Sequence, residues 1–312
     1  MRTRPTRWLT VLAWAALLGL AGCSTAAEPA VVSQANTQVA PAEPTADATA
    51  ATTRTETLQL NGAQRSYLVM TPAAAHAAPL PLVIVLHGAF VTGSEELTRT
   101  GFGSLADRGA AVVVAPESVG PAWNSDAGCC GVAATDHVDD AAFVSTVVTH
   151  VQRSEHTDPM RVSVVGYSSG GKLAYNVACV DHPAIAAVAT YGAGPQLPCR
   201  NSTPITFAVG YGDKDANEPM LGAPHDAHGV HQPMVETVAQ LRKRDGCATA
   251  PTHQRTAGPA SITTWGSRTA DTVTQIVWHG STHQWPGSAP DVPPQASGEA
   301  LYWPLLAAAH LS

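Results

Sequence analysis

Apolar residues recur along the chain in short blocks separated by longer amphipathic stretches. The blocks at 82–86, 111–115, 162–165, 185–189, 205–209 and 274–278 are each too short for a helix and rich in Val, Ile or Ala. That is the pattern of strands buried on both faces of a parallel sheet. Between them, the stretches near 94–108, 138–153, 169–180, 231–244 and 296–310 read as helices. Ahead of this alternation, residues 58–60 and 67–70 flank Asn61-Gly62, a dipeptide suited to the tight turn of an antiparallel hairpin. Strands alternating with helices predict an α/β fold, a mainly parallel twisted sheet with helices on both faces.

The first residues have a different character. Arg2, Arg4 and Arg7 precede an apolar run from Trp8 to Leu20, which is too short to span a bilayer and has the charge order of an export signal. The run ends in Leu20-Ala21-Gly22-Cys23, which resembles the bacterial lipobox, where the Cys thiol is acylated and becomes the new N-terminus. Unpaired arginines do not support twin-Arg export. The expected organisation is a lipoprotein signal peptide over 1–22, a lipidated flexible tether over 23–55 and one folded domain over 56–312. The tether contains almost no large apolar residue, so it cannot bury enough surface to offset its ordering entropy. Acylation of Cys23 puts the expected location on the outer face of the cytoplasmic membrane or in the cell envelope, with a released, secreted form as the alternative.

Charge narrows the partners. With 24 Asp+Glu against 17 Lys+Arg the formal net charge is −7, which argues against nucleic acid or anionic headgroups as the main partner. Hydrophobic residues at 45% with charged residues at 13% exclude a disordered or fibrous chain.

The chemistry-bearing residues cluster at predicted strand ends. Gly166-Tyr167-Ser168-Ser169-Gly170-Gly171 follows the strand at 162–165 and opens the helix at 169–180, the context of a nucleophile elbow. There Ser168 is the candidate nucleophile, and the N–H of Ser169 lies at a helix N-terminus, suited to a developing oxyanion. A second donor is expected from the turn His87-Gly88-Ala89 after the strand at 82–86, with Ala89 N–H as the candidate and His87 as a structural turn residue. Past the strand at 205–209 lie Asp213 and Asp215, either of which could orient a base; spacing does not choose between them. After the last strand, His283 sits in a Gly-bounded loop, while His279 ends the strand itself. The order Ser168, Asp215, His283 is the Ser…Asp…His order of α/β-hydrolases.

Taken together, Leu86-His87-Gly88, Trp123-Asn124, Cys129-Cys130, Val138-Asp139-Asp140, the elbow at 166–171, Gly212 to Asp215 with Pro219, and His283-Gln284-Trp285-Pro286-Gly287 are similar to the polyhydroxybutyrate depolymerase and feruloyl esterase family. The resemblance covers 56–312 and looks closest to the actinobacterial lipoprotein members. It implies an α/β-hydrolase fold and a serine carboxylic ester hydrolase acting on feruloyl, acetyl or short hydroxyalkanoate esters through an acyl-enzyme. It also implies Asp215 as the acid, because the family's Gly-x-x-Asp followed four residues later by Pro maps onto Gly212, Asp215 and Pro219, and it supports His283 through the His-x-Trp-Pro-Gly loop. Tyr211, where a His is usual, and Ser281-Thr282, which replace glycines, depart from the pattern and bear on substrate preference.

Other readings complete the picture. Trp285, Trp123 and Tyr167 are candidate substrate contacts, with core packing as their alternative. His225, His228 and His231 are spaced through Gly229 with only Asp226 nearby, so a solvated loop is expected, with no metal and no cofactor. Cys179 and Cys199 lie on consecutive elements and are expected to form a disulfide; Cys247 is expected to pair with Cys129 or Cys130, ahead of a direct Cys129–Cys130 bond. A serine peptidase, an envelope acyltransferase and a non-catalytic envelope-binding lipoprotein stand as alternative functions.

Overall fold

A computed structural model describes residues 50–179, 185–199, 203–288, 290 and 292–309. The predicted signal peptide, Cys23 and most of the predicted tether lie outside the described residues. Strands β1 (Thr52–Leu60) and β2 (Ala63–Thr71) form the opening hairpin. Asn61 and Gly62 both take positive φ, at 52° and 81°, as the favoured two-residue turn requires. Because β1 begins at Thr52, the sheet starts ahead of residue 56. Arg54 ties the strand down by donating to Thr71 Oγ1 and pairing with Glu155.

The chain then runs through β3 (Leu80–Leu86), α1 (Gly93–Thr100), α2 (Ser104–Asp107), β4 (Val112–Pro116), α3 (Gly131–Thr135), α4 (Asp140–Ser154), β5 (Thr157–Tyr167) and α5 (Ser169–Cys179). It continues with β6 (Ala187–Tyr191), β7 (Thr206–Gly212), β8 (Ala223–Asp226), β9 (Gly229–His231), α6 (Met234–Arg244), β10 (His253–Ala257), β11 (Ala260–Gly266), β12 (Thr272–Trp278) and α7 (Gly298–Ala308). Ten strands make one sheet in the order β1-β2-β4-β3-β5-β6-β7-β12-β11-β10, and β8 pairs with β9 alone. The six central strands, β4 to β12 in that order, are parallel, and antiparallel strands finish both edges.

Period-two alternation decides which face each strand residue covers. Leu82, Ile84 and Leu86 of β3 pack with Phe143 and Val147 of α4, Leu173 and Val177 of α5 and Leu241 of α6. Val83 and Val85 point the other way, into a layer with Leu97 of α1, Leu105 of α2 and Leu301 and Leu306 of α7. Both faces are therefore covered, which is why these strands are continuously apolar.

Several elements differ from the sequence expectation. The single helix expected near 94–108 is two, since Gly101 terminates α1 in the left-handed region at φ 77°. α6 begins at Met234 because Pro233 caps it, and residues 229–231 belong to a hairpin instead. β10 and β11 were not expected; β10 is an edge strand whose sequence, His-Gln-Arg-Thr-Ala, is almost wholly exposed and shows no apolar alternation.

Cys179 and Cys199 are bonded. The other pairing corrects the expectation: Cys129 bonds Cys130, and Cys247 is free. Cys247 follows α6 near Val273 at the start of β12, whereas Cys130 donates its N–H to the carbonyl of Trp123 beside the end of β3. The two lie at opposite ends of the strands. No helix among the described residues is long and apolar enough to cross a membrane.

Candidate active site

Four strand ends supply the site. Ser168 occupies the turn between β5 and α5 with φ 53°, a left-handed conformation costly for a side-chain-bearing residue. The turn is closed from both sides: a Cβ on Gly166 would lie 2.4 Å from the carbonyl oxygen of Gly170, and one on Gly170 would lie 2.3 Å from that of Leu86. Only glycine fits either position. Ser168 N–H donates to the carbonyl of Tyr191, so the elbow is also pinned to β6.

His283 Nε2 lies 2.9 Å from Ser168 Oγ, and His283 Nδ1 lies 2.7 Å from Asp215 Oδ2. The second oxygen of Asp215 accepts the N–H groups of Asn217 and Glu218 at 2.9 and 2.8 Å. The carboxylate is therefore held by its own loop on one side and faces the imidazole with the other. Asp213, the competing carboxylate, accepts from Gly280 N–H and faces His279 Nδ1; His279 in turn contacts Ser261 across β11. That pair ties down the loop after β12 and stands apart from Ser168.

The turn after β3 runs beside the serine, a Cβ on Gly88 falling 3.6 Å from Ser168 Cβ. Neither Ala89 N–H nor Ser169 N–H has an acceptor among the described residues. The turn is braced throughout. Trp123 Nε1 donates to the His87 carbonyl at 2.8 Å, Gly88 N–H to Glu96 Oε2 at 3.3 Å, and Phe90 N–H to the Pro121 carbonyl at 2.7 Å. His87 Nε2 accepts from Ser118 N–H, which leaves Nδ1 to donate to the Gly88 carbonyl. Burial lowers the pKa of His87 and so favours this neutral form, in keeping with a structural role. Burial pushes the carboxyl of Glu96 up to about 7, against the pull of Arg99 and Gly88 N–H.

The three aromatic residues expected to touch substrate are corrected. Trp285 is 1% exposed, packed among Tyr167, Tyr191, Phe102 and Tyr302. Trp123 is fully buried and braces the His87 turn as described. Tyr167 is also buried, its hydroxyl donating to the backbone carbonyl of His283, and desolvation pushes its pKa up to about 12. An apolar side chain next to a chemical motif looks the same in sequence whether it faces the substrate or the core. Asn124, beside Trp123, donates to the Val138 carbonyl and to Asp140, which also pairs with the buried Arg65.

The histidine loop is corrected in part. His225 and His228 are exposed, but His231 is buried, with Nδ1 3.0 Å from Glu218 Oε2 and Nε2 2.8 Å from Asp226 Oδ1. Asp226, His228 and His231 each bring one potential ligand atom within 4.8 Å of the others. Asp226 Oδ1 already accepts the His228 N–H in a local turn, and the carboxylates on both sides of His231 account for its position without an ion.

Sequence reasoning missed Gly192, Lys172 and Glu218. Gly192, at φ 58°, lets the chain pass under the imidazole: a Cβ there would lie 2.8 Å from His283 Cε1. Lys172 and Glu218 form a buried ion pair behind the site. A lone lysine in an otherwise apolar helix start was the available signal for the first.

A sheet of this topology with a serine at the β5–α5 turn defines an α/β-hydrolase. The family model of the dienelactone hydrolases matches residues 66–236, more than half of the chain, and the chain belongs to that family and is a carboxylic ester hydrolase. Among curated proteins it is similar to one from Nocardia uniformis subsp. tsuyamanensis named "Putative esterase NocK", at 28% identity, covering 88% of this chain and 89% of that one. Among solved structures it is similar to an acetyl xylan esterase from Aspergillus awamori (17% identity, TM-score 0.56, 74% of this chain and 94% of that one). It is also similar to a ferulic acid esterase from Anaeromyces mucronatus (11% identity, TM-score 0.54, 86% and 93%). At these identities the structures bear on the fold alone.

Proposed function

We propose that Ser168, His283 and Asp215 form a catalytic triad that hydrolyses feruloyl, acetyl or short hydroxyalkanoate esters through an acyl-enzyme. The carrying observation is the unbroken line of contacts from Ser168 Oγ to His283 Nε2 and from His283 Nδ1 to Asp215 Oδ2. Ser168 Oγ attacks the ester carbonyl as His283 takes its proton; the alcohol leaves with that proton, and water then repeats the sequence on the acyl-enzyme. Asp215 holds the imidazole with Nε2 free to accept and stabilises the imidazolium that forms. The N–H groups of Ala89 and Ser169, without an acceptor among the described residues, are suited to the oxyanion, each such donor being worth about 3 kcal/mol in the transition state. No cofactor enters these steps.

The test is hydrolysis of p-nitrophenyl acetate, methyl ferulate and 3-hydroxybutyrate oligomers by the full chain and by Ser168→Ala. We expect the substitution to lower kcat by about 10⁴-fold or more without unfolding the protein, and the wild-type protein to accumulate a serine ester visible by mass spectrometry. Activity retained in folded Ser168→Ala refutes the assignment. We also propose that the domain is tethered to the cell envelope by acylation of Cys23, a reading supported by the Leu-Ala-Gly-Cys sequence. Labelling with a fatty-acid analogue that persists in Cys23→Ala overturns it.

A further inference from the structure

Behind the triad lies a chain of ionisable side chains, buried from Lys172 to His231, that the ester-hydrolysis scheme does not use. Lys172, one turn into α5 from Ser168, is 1% exposed. Its ammonium contacts Glu218 Oε1 and donates to the carbonyl of His228. Glu218 is 4% exposed, and its other oxygen, Oε2, faces His231 Nδ1 at 3.0 Å. His231 Nε2 faces Asp226 Oδ1 at 2.8 Å. Both ring nitrogens thus face carboxylate oxygens. Lys172, Glu218, His231 and Asp226 thus follow one another from the nucleophile helix to the β8–β9 hairpin, which Gln196 clamps from behind by bonding both the N–H and the carbonyl of Val230.

The chain meets the site at one point. Glu218 N–H donates to Asp215 Oδ1 at 2.8 Å, so the backbone that orients the acid belongs to the residue whose side chain is gripped by Lys172 and His231. A buried carboxylate without partners is costly enough to force its loop to move or its charge to be lost. Glu218 stays where it is because side chains from two separate elements, Lys172 of α5 and His231 of β9, hold its two oxygens. Movement of its backbone turns Asp215 relative to His283, which is the one hydrogen bond in the triad that sets the imidazole tautomer.

We propose that Lys172, Glu218 and His231 form a positioning relay that holds the carboxylate of Asp215 in line with His283. It rests on the triad reading above. The relay touches neither substrate nor the reacting atoms; it acts through Asp215, and its loss is read in kcat while KM stays near the wild-type value.

The experiment is a double-mutant cycle on the full chain, with p-nitrophenyl acetate as substrate and thermal unfolding to check that each variant is folded. Glu218→Gln is expected to lower kcat by about 10- to 100-fold, the scale of a misplacement of about 1 Å. His231→Gln, which perturbs the relay from its hairpin end, is expected to act in the same direction. Placed on Asp215→Asn, in which the carboxylate to be positioned is already gone, Glu218→Gln is expected to have no further effect on the residual turnover. Wild-type kcat in both folded single variants, or a loss of equal size with and without Asp215, overturns the relay. Activity surviving in Ser168→Ala overturns the triad itself, so the two failures are distinguishable.

Discussion

Replacing Gly192 by alanine tests whether the imidazole must sit where the structure holds it. The new Cβ would stand 2.8 Å from His283 Cε1, 2.9 Å from Nδ1 and 3.1 Å from Asp215 Oδ2, while carbon atoms pack best at about 3.5 to 4.0 Å. The ring must therefore retreat by about 0.7 Å or more, away from Ser168 or out of line with Asp215. Gly192 cannot move instead, because its N–H is bonded to the Gly210 carbonyl in the neighbouring strand. Alanine at φ 58° also costs about 1 to 2 kcal/mol in the left-handed region. Together with overpacking, the stability loss is about 2 to 4 kcal/mol. The loss in kcat is about 10²-fold, since a misplacement of this size at a reacting group costs that much. The assay is steady-state hydrolysis of p-nitrophenyl acetate at a temperature where circular dichroism shows the variant folded. Gly194→Ala is the control: its Cβ would meet Tyr211 Oη at 3.4 Å and nothing else closer than 3.8 Å, so kcat should stay close to wild type. A folded Gly192→Ala protein with wild-type kcat refutes the reasoning, because it requires His283 to work from somewhere else.

Two further expectations concern stability. Glu96, raised from 4.5 to about 7 by burial, binds a proton more tightly folded than unfolded, so its contribution to stability is present below about pH 4.5 and is lost as pH rises through about 7. Glu96→Gln removes up to about 3 kcal/mol of that decline; urea midpoints at pH 5 and pH 8 check it, and an unchanged difference between wild type and variant refutes it. The Cys179–Cys199 bond closes a sequence separation of 20 residues, so Cys179→Ser with Cys199→Ser should cost about 3 kcal/mol by the chain-entropy estimate. Equal denaturation midpoints for the oxidised wild type and the double variant count against a stabilising role.

The sequence displayed the parallel strands clearly because each is buried on both faces and so is written in Val, Ile, Leu and Ala. β10 was invisible for the opposite reason: at the sheet edge its side chains meet water, and nothing constrains them to alternate. The elbow was legible because its requirement is local, two glycines within two residues of the serine. Gly192 was not, since the atoms that forbid a side chain there belong to residues 215 and 283. Trp285 misled because its position two residues past His283 resembles that of a pocket wall, whereas the chain between them turns the indole inward against Tyr167 and Tyr302.

Local order, then, was determined by the sequence itself: an α/β alternation, a hairpin at Asn61-Gly62, a serine on a strand-to-helix turn, and a histidine after the last strand. These follow from backbone sterics and burial acting over a few residues, and such forces leave short-range marks. Tertiary structure decided how the strand ends converge. It selected Asp215 as the partner of His283 and gave Asp213 to the loop at His279; it folded Lys172, Glu218 and His231 into one buried chain of contacts, and it paired Cys129 with Cys130 while leaving Cys247 free. Each of those outcomes depends on which way a side chain points once distant segments meet, and no spacing along the chain encodes that direction.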